Sequence, residues 1–299
     1  MQQIGRSIYF AVSEKDAGSM LFTFLAAQAC ASKKLIQYWI ANRKIKQNQS
    51  FVSHNAQLNE NDSISIDFYE NEPFDVVPEY GDLPVLFEDD HLIVINKPAG
   101  LATHPNEAGQ TGTLANLIAF YFQMNGEERR IRHVHRLDQD TSGAIVFAKH
   151  RLALALLDQQ MAKKQIKRTY LAIAEGKLKN ARGKIDQPIG RDRYHSVRRR
   201  VSQTGQSAVT NFIVKGYDEK KDLSLLELQL DTGRTHQIRV HSSFIGHPLA
   251  GDTLYGGSER WIKRQALHSE SISFIHPITK EELFIHAPPP KDMDTIFLI

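Results

Sequence analysis

Between His135 and Ala148 the chain changes character within a few residues. His135-Arg136-Leu137-Asp138-Gln139-Asp140-Thr141-Ser142-Gly143 is polar, ends in the turn-forming pair Ser-Gly, and runs straight into Ala144-Ile145-Val146-Phe147-Ala148. A polar loop joined to a short continuous apolar run predicts a buried strand with a carboxylate delivered to its lip. Any fold this chain adopts must bury that strand while leaving Asp138 reachable. Arg136 beside it offers an electrostatic partner for the carboxylate or for a phosphate.

At 299 residues the chain is long enough for one large domain or for two, each with its own core. No apolar run approaches the roughly 20 residues that cross a bilayer, and Met1-Gln2-Gln3-Ile4-Gly5-Arg6 lacks the apolar core of a secretory signal. Cys30 is the only cysteine, which rules out an intrachain disulfide and a cysteine metal cage. The expectation is a reducing cytoplasm and no membrane. The net charge of +3 conceals a strong segregation. Residues 55–95 hold eleven acids and no Lys or Arg, whereas residues 161–200 hold thirteen Lys/Arg against Glu175, Asp186 and Asp192. Within the basic segment, Arg191, Arg193, Arg198, Arg199 and Arg200 suit a polyanionic partner, a solvated basic loop being the bland alternative.

Periodicity divides the chain. Residues 1–70 read as a small separate module. Leu21, Phe22, Phe24, Leu25 and Ala29 fit one helix face, and Leu35, Ile36, Trp39 and Ile40 fit a second behind an N-cap at Ser32. Ile64-Ser65-Ile66-Asp67-Phe68 alternates as a half-buried strand. Lys33, Lys34, Arg43, Lys44 and Lys46 decorate the second helix and its exit. The arrangement resembles the small RNA-binding module named after a ribosomal small-subunit protein, although Met20-Leu21-Phe22 stands where that module opens with Arg-Leu-Asp. Pro73, Pro78 and Pro84 make residues 71–84 a linker. From Val85 to the end the pattern is strand-rich, with helices expected over 113–122 and 152–162 and strands at 85–87, 92–95, 168–174, 224–230, 272–275 and 283–285. Pro288-Pro289-Pro290 should block further regular structure. Strand blocks joined by few helices predict α+β with a mainly antiparallel sheet.

Thirteen histidines raise the question of a metal. His133 and His135 are two apart and His236 and His241 five apart, so neither pair has the helical spacing of a zinc hydrolase. Gly109-Gln110-Thr111-Gly112-Thr113 is too short for a phosphate-binding loop and lacks its lysine, and Ser142-Gly143 lacks the glycine of a nucleophile elbow. What survives is Asp138 and a second cluster, Gly233-Arg234-Thr235-His236-Gln237-Ile238-Arg239-Val240-His241. Ile238 and Val240 alternate with Gln237, Arg239 and His241, so as a strand it would aim Arg239 away from the apolar face, free to pair with a carboxylate from a neighbouring loop.

The stretch 135–143 resembles the signature of the RluA-type pseudouridine synthases. The likeness extends over roughly residues 84–290. Residues 85–100, ending Asn96-Lys97-Pro98-Ala99-Gly100, are similar to the first motif of that family, and Arg168-Thr169-Tyr170 with Glu175-Gly176 to the motif carrying its tyrosine. Residues 230–241 resemble the third motif, with Gly246–Asp252 and Gln265–Ser269 following in order. One departure precedes the signature, where Ile131-Arg132-His133-Val134 replaces the usual Pro-Gly-Ile/Val.

The resemblance implies a pseudouridine synthase fold with a central, mainly antiparallel mixed sheet over residues 85–299. It also implies isomerisation of a uridine in structured RNA, ribosomal RNA ahead of transfer RNA, by a monomer without metal or cofactor. Asp138 would be the catalytic carboxylate, Arg239 its partner and Tyr170 the residue stacked on the base. Arg136 would fill the space left by the extruded base, with His135 a structural member of the motif that lies against the substrate. Arg234, Arg191, Arg198, Arg199, Lys33 and Lys34 are the candidates for holding phosphates. Two other readings compete: a non-catalytic RNA-binding or ribosome assembly protein retaining the fold, and a glycoside hydrolase using Asp138 with Asp140.

Overall fold

The computed structural model describes residues 1–69 and 71–297; Glu70, where the sequence ends its module, and the last two residues lie outside the described residues. Residues 2–67 build a five-stranded sheet from β1 (Gln2–Ile4), β2 (Ser7–Ala11), β3 (Ile45–Gln47), β4 (Ser50–Phe51) and β5 (Ser63–Asp67), in the order β1-β2-β5-β3-β4. Helices α1 (Leu21–Gln28) and α2 (Lys33–Ala41) pack with it, burying Leu21, Phe24, Leu25, Ile36 and Trp39 together with Ile8, Phe10, Ile45, Ile64 and Ile66. Ser32 caps α2 by accepting from the Leu35 N–H, as its position between two apolar faces predicted.

The rest of the chain forms one large sheet. Its strands are β6 (Val85–Glu88), β7 (Leu92–Lys97), β8 (Arg132–His133), β9 (Ser142–Ala148), β10 (Lys167–Glu175) and β11 (Arg182–Asp186). After a small separate hairpin of β12 (Ile189–Arg191) and β13 (Arg199–Val201) come β14 (Val209–Asp218), β15 (Leu223–Leu230), β16 (Leu267–Ile275) and β17 (Glu282–His286). The path runs β11-β14-β15-β10-β16-β9-β7-β6, with β17 on β16 and β8 on β9. Every pairing is antiparallel except β16 with β9, so the sheet is mixed and mainly antiparallel.

The apolar run of the opening stretch is β9, all seven residues of which are buried. Ile145 and Phe147 face α3 (Leu114–Met124), while Ala144, Val146 and Ala148 face α4 (Arg151–Ala162). Burial on both faces is why its sequence is continuously apolar rather than alternating. Ser142 and Gly143 do not form the expected turn. They open the strand, and the turn falls one step earlier at Gln139-Asp140. Gly143 has φ +109° and lies so close to β16 that a Cβ would come 2.2 Å from the Ser269 carbonyl oxygen, so only glycine fits the one parallel pairing.

Two further expectations change. Residues 71–84 carry no helix or strand but are tied down along their length. Glu72 pairs with Arg132 and Arg151, Asp75 with Arg130, and the Val77 carbonyl accepts from Asn116, while Phe74, Val76 and Leu83 pack on the core. Pro288-Pro289-Pro290 ends β17, yet a short helix α6 (Lys291–Asp294) follows with Pro290 at its N-cap, where a missing N–H costs nothing.

The N-terminal sheet is docked on α4 through Leu152 and Leu156 and through Ile278. A chain of rings crosses the junction. Ala153 N–H donates to His150 Nδ1, His150 Nε2 meets His91 Nδ1 at 2.9 Å, and His91 Nε2 meets the Gln3 Oε1 at 2.8 Å, with Phe68 against both rings. Each bond fixes the tautomer of the next, so both histidines are neutral. Burial pushes His91 down to about 4 and His150 well below its ordinary value. Their folded pKa values lie below the unfolded ones, so between roughly pH 6.5 and 4 the unfolded chain binds protons that the folded chain refuses. Stability should therefore fall as pH drops through that window. Thermal melts across it should show a steep decline in the wild type and a shallower one in His91→Phe; identical slopes would refute this account.

Candidate active site

The Asp138 loop is held by its backbone. Lys97, fully buried at the end of β7, donates to the carbonyls of Pro98, Leu101 and Gln139 at 2.6–2.9 Å. Burial pushes its pKa down to about 7, with the charges of Asp140 and Asp138 acting the other way. Thr103 Oγ1 donates to the Leu137 carbonyl and accepts from the Leu137 N–H. Arg264, clamped by Asp292, donates to the Asp140 carbonyl at 3.0 Å. Asp140 thus contributes its main chain to the loop, and Asp138 contributes its side chain to the cleft.

Opposite stands Arg239. The sequence alternation suggested a strand here, but residues Gln237–Phe244 form helix α5. The reason lies in side chains that a periodicity count ignores. His236 takes a left-handed φ of 59°, and the Gln237 Oε1 accepts from the Arg234 N–H and Thr232 hydroxyl, closing a turn that starts the helix. Arg239 still reaches the loop. Its Nη1 lies 3.2 Å from Asp138 Oδ2, while Nε and Nη2 grip Asp252 at 2.7 and 2.8 Å. Burial opposes the charge on Arg239, but its hydrogen bonds to Asp252 and the charges of both aspartates outweigh it and hold the guanidinium firmly protonated. His236 sits nearby with Nε2 at 3.9 Å from Asp138. Burial lowers its pKa against the pull of Asp138, and its Nδ1 meets the Tyr255 hydroxyl at 2.9 Å.

Asp138, Arg239 and Tyr170 line one cleft of about 280 Å³. Tyr170, on β10, is buried beneath it, and burial pushes its phenol pKa upward against the nearby charge of Arg168. Arg136 and Arg234 line the same cleft and are exposed, whereas His135 lines it from a buried position. Arg234 also borders an adjoining groove of about 310 Å³ with Arg191 and Arg199 of the β12–β13 hairpin. Tyr255 joins the two, for it accepts from the Arg199 N–H and lies under the guanidinium groups of Arg198 and Arg239. Lys33 and Lys34 lie apart on α2, outside the lining of either cavity; Lys33 borders a separate groove of its own module with Phe22 and His54. That module has another basic groove on its sheet, lined by Arg6, Arg43, Lys46 and the exposed Phe51.

Sequence reasoning gave no role to Asp252, His236, Tyr255, Lys97 or Arg168. Asp252 is the most consequential, because it neutralises Arg239 from a position 1% exposed. Its replacement by asparagine leaves a buried guanidinium with one charged partner fewer and should cost roughly 3–5 kcal/mol. Asp138→Asn should cost much less, its side chain being 23% exposed. Urea denaturation of both variants checks the order, and equal losses would contradict it.

Residues 91–244 match the family described as RNA pseudouridylate synthase. The chain is 56% identical over 296 residues to the uncharacterized RNA pseudouridine synthase YhcT of Bacillus subtilis, covering 99% of this chain and 98% of that protein. It is 43% identical over 228 residues to ribosomal large subunit pseudouridine synthase D of Vibrio parahaemolyticus, covering 71% and 68% respectively. Among solved structures, human RNA pseudouridylate synthase domain containing 1 superposes with a TM-score of 0.60 at 26% identity, over 73% of this chain and 89% of that one. The chain therefore belongs to the RNA pseudouridylate synthase family and is an isomerase that acts on RNA.

Proposed function

We propose that this enzyme converts a uridine of structured ribosomal RNA to pseudouridine, with Asp138 as the catalytic carboxylate. The observation that carries the reading is the Asp138–Arg239 pair at 3.2 Å, facing a cleft of nucleotide size with Tyr170 in its wall. The reaction breaks the bond between ribose carbon 1 and uracil nitrogen 1 and joins that carbon to uracil carbon 5. The proton on carbon 5 is released and nitrogen 1 gains one. Nothing is oxidised and no group is imported, so side chains suffice without metal or cofactor. Asp138 begins the exchange by attack or by proton abstraction. Arg239, held from behind by Asp252, keeps the carboxylate aimed and balances its charge. Tyr170 stacks on the uracil ring, and Arg136 takes the space that the base leaves.

Drawing a base out of its stack costs a few kcal/mol, and contacts to the backbone must offset that. Arg234, Arg191 and Arg199 line the groove that continues from the cleft, with Arg198 over the Tyr255 ring next to Arg199, which supports a path for the flanking phosphates. Lys33 and Lys34 would engage RNA further away through the N-terminal module. Ribosomal RNA is favoured because the Vibrio relative is named for the large ribosomal subunit.

Purified wild type should release tritium from total RNA labelled at carbon 5 of uridine, and Asp138→Asn should lose at least about a hundredfold of that rate. Equal release by both proteins would overturn the role of Asp138. RNA binding should weaken steeply with salt, and Arg191→Ala with Arg199→Ala should flatten that dependence.

A further inference from the structure

Among the described residues, two nitrogen donors beside the cleft have no hydrogen-bond partner. Arg168 on β10 is 7% exposed, lines the cleft, and its Nε–H meets no acceptor. Among the described residues it makes no ion pair, so a full positive charge is buried without a carboxylate. His135 is 6% exposed and lines the same cleft. Its Nε2 accepts from the Val146 N–H at 3.3 Å, which places its proton on Nδ1, and that Nδ1–H also meets no acceptor. Burial, reinforced by the charge of Arg168, pushes the ring down to about 3, so it stays neutral.

Leaving a buried donor unpaired is costly. Leaving two together, one of them charged, means that the acceptor arrives with the ligand. Depth says which part of the ligand supplies it. Arg136 and Arg234 are the exposed arginines of the cleft, Arg234 on the side of the adjoining basic groove, whereas Arg168 and His135 are buried in the wall around Tyr170. Resting on the reading of the cleft as a uridine site, we propose that Arg168 and His135 read the carbonyl edge of the flipped base and select uracil over cytosine. Uracil presents carbonyl oxygens at carbons 2 and 4. Cytosine carries an amino group at carbon 4, which would set donor against donor. A site built to donate to one partner rejects an analogue that cannot accept.

The test uses the full chain with nitrogen-15 arginine and histidine labels, titrated with uridine 5′-monophosphate, cytidine 5′-monophosphate and inorganic phosphate. The uridine nucleotide should shift the Arg168 Nε–H and His135 Nδ1–H resonances, and the cytidine nucleotide should need on the order of tenfold more ligand or fail. Equal response to both nucleotides, a response reproduced by phosphate alone, or no response to the uridine nucleotide would each overturn the proposal. A second readout uses Arg168→Met. Removing an uncompensated buried charge should raise the unfolding midpoint while it lowers tritium release, a divergence that a structural arginine would not produce. A midpoint that falls together with activity would make Arg168 a packing residue. Wild-type tritium release is the separate control, since its absence would defeat the uridine reading and not the behaviour of the two donors.

Discussion

The guanidinium of Arg239 is the constraint around which the catalytic half is arranged. A buried cation is tolerated only when its donors are spent on acceptors and its charge is matched. Asp252 does most of this, taking two of its nitrogens from a nearly inaccessible position. The remaining nitrogen is thereby aimed at Asp138, some hundred residues earlier in the chain. Holding that geometry requires helix α5 to start where it does, the Asp138 loop to stay pinned by Lys97, Thr103 and Arg264, and β9 to lie tight against β16 through Gly143. Each of these elements can be traced to the need to bring one charge to another inside a low-dielectric wall.

Charge segregation along the sequence has two different outcomes in space. The acidic stretch is consumed internally, with Glu72, Asp75 and Glu88 matched by Arg132, Arg151, Arg130 and Lys149. This is why residues 71–84 form a strap on the core although their prolines and acids read as a spacer. The basic segment is not consumed. Within the hairpin, Asp192 faces Arg198 at only 3.9 Å, and Arg191 and Arg199 border an open groove. Positive charge left over after the internal pairing is complete stands next to the cleft, where a polyanion would meet it.

What could be read from the sequence was what depends on local pattern. β9, β10, β15, α3 and α4 all follow from apolar period and length, and Ser32 marks a helix start by its chemistry. The Asp138 stretch was conspicuous because polar and apolar residues meet there abruptly. What escaped depends on contacts between distant residues. Helix α5 was misread because Ile238 and Val240 alternate with polar neighbours, while the deciding interactions belong to Gln237 with Thr232 and Arg234. Asp252 looked like an ordinary acid after a glycine, since nothing local reveals that it faces a buried arginine. The histidines at the junction of the two sheets are more than fifty residues apart in the chain, and their spacing carries no signal of their contact.

Arg168 shows why a strand residue can matter to chemistry and remain invisible to pattern. Its neighbours in β10, Tyr170 to Ala174, are a continuous buried apolar run, and an arginine at the edge of such a run ordinarily faces water. Here the strand period that buries Tyr170 also buries Arg168, two residues before it on the same face of the sheet. Burying it brings no stability, because the described residues supply no carboxylate in ion-pair contact and leave one of its donors open. A fold under selection for stability alone would have put a methionine or leucine there, since Leu230 and Leu267 already line that wall. The position is explained by what the cleft receives. The unpaired donors of Arg168 and His135 are an unfilled half of a hydrogen-bonding pattern, and the chemistry of the other half is that of a pyrimidine carbonyl edge.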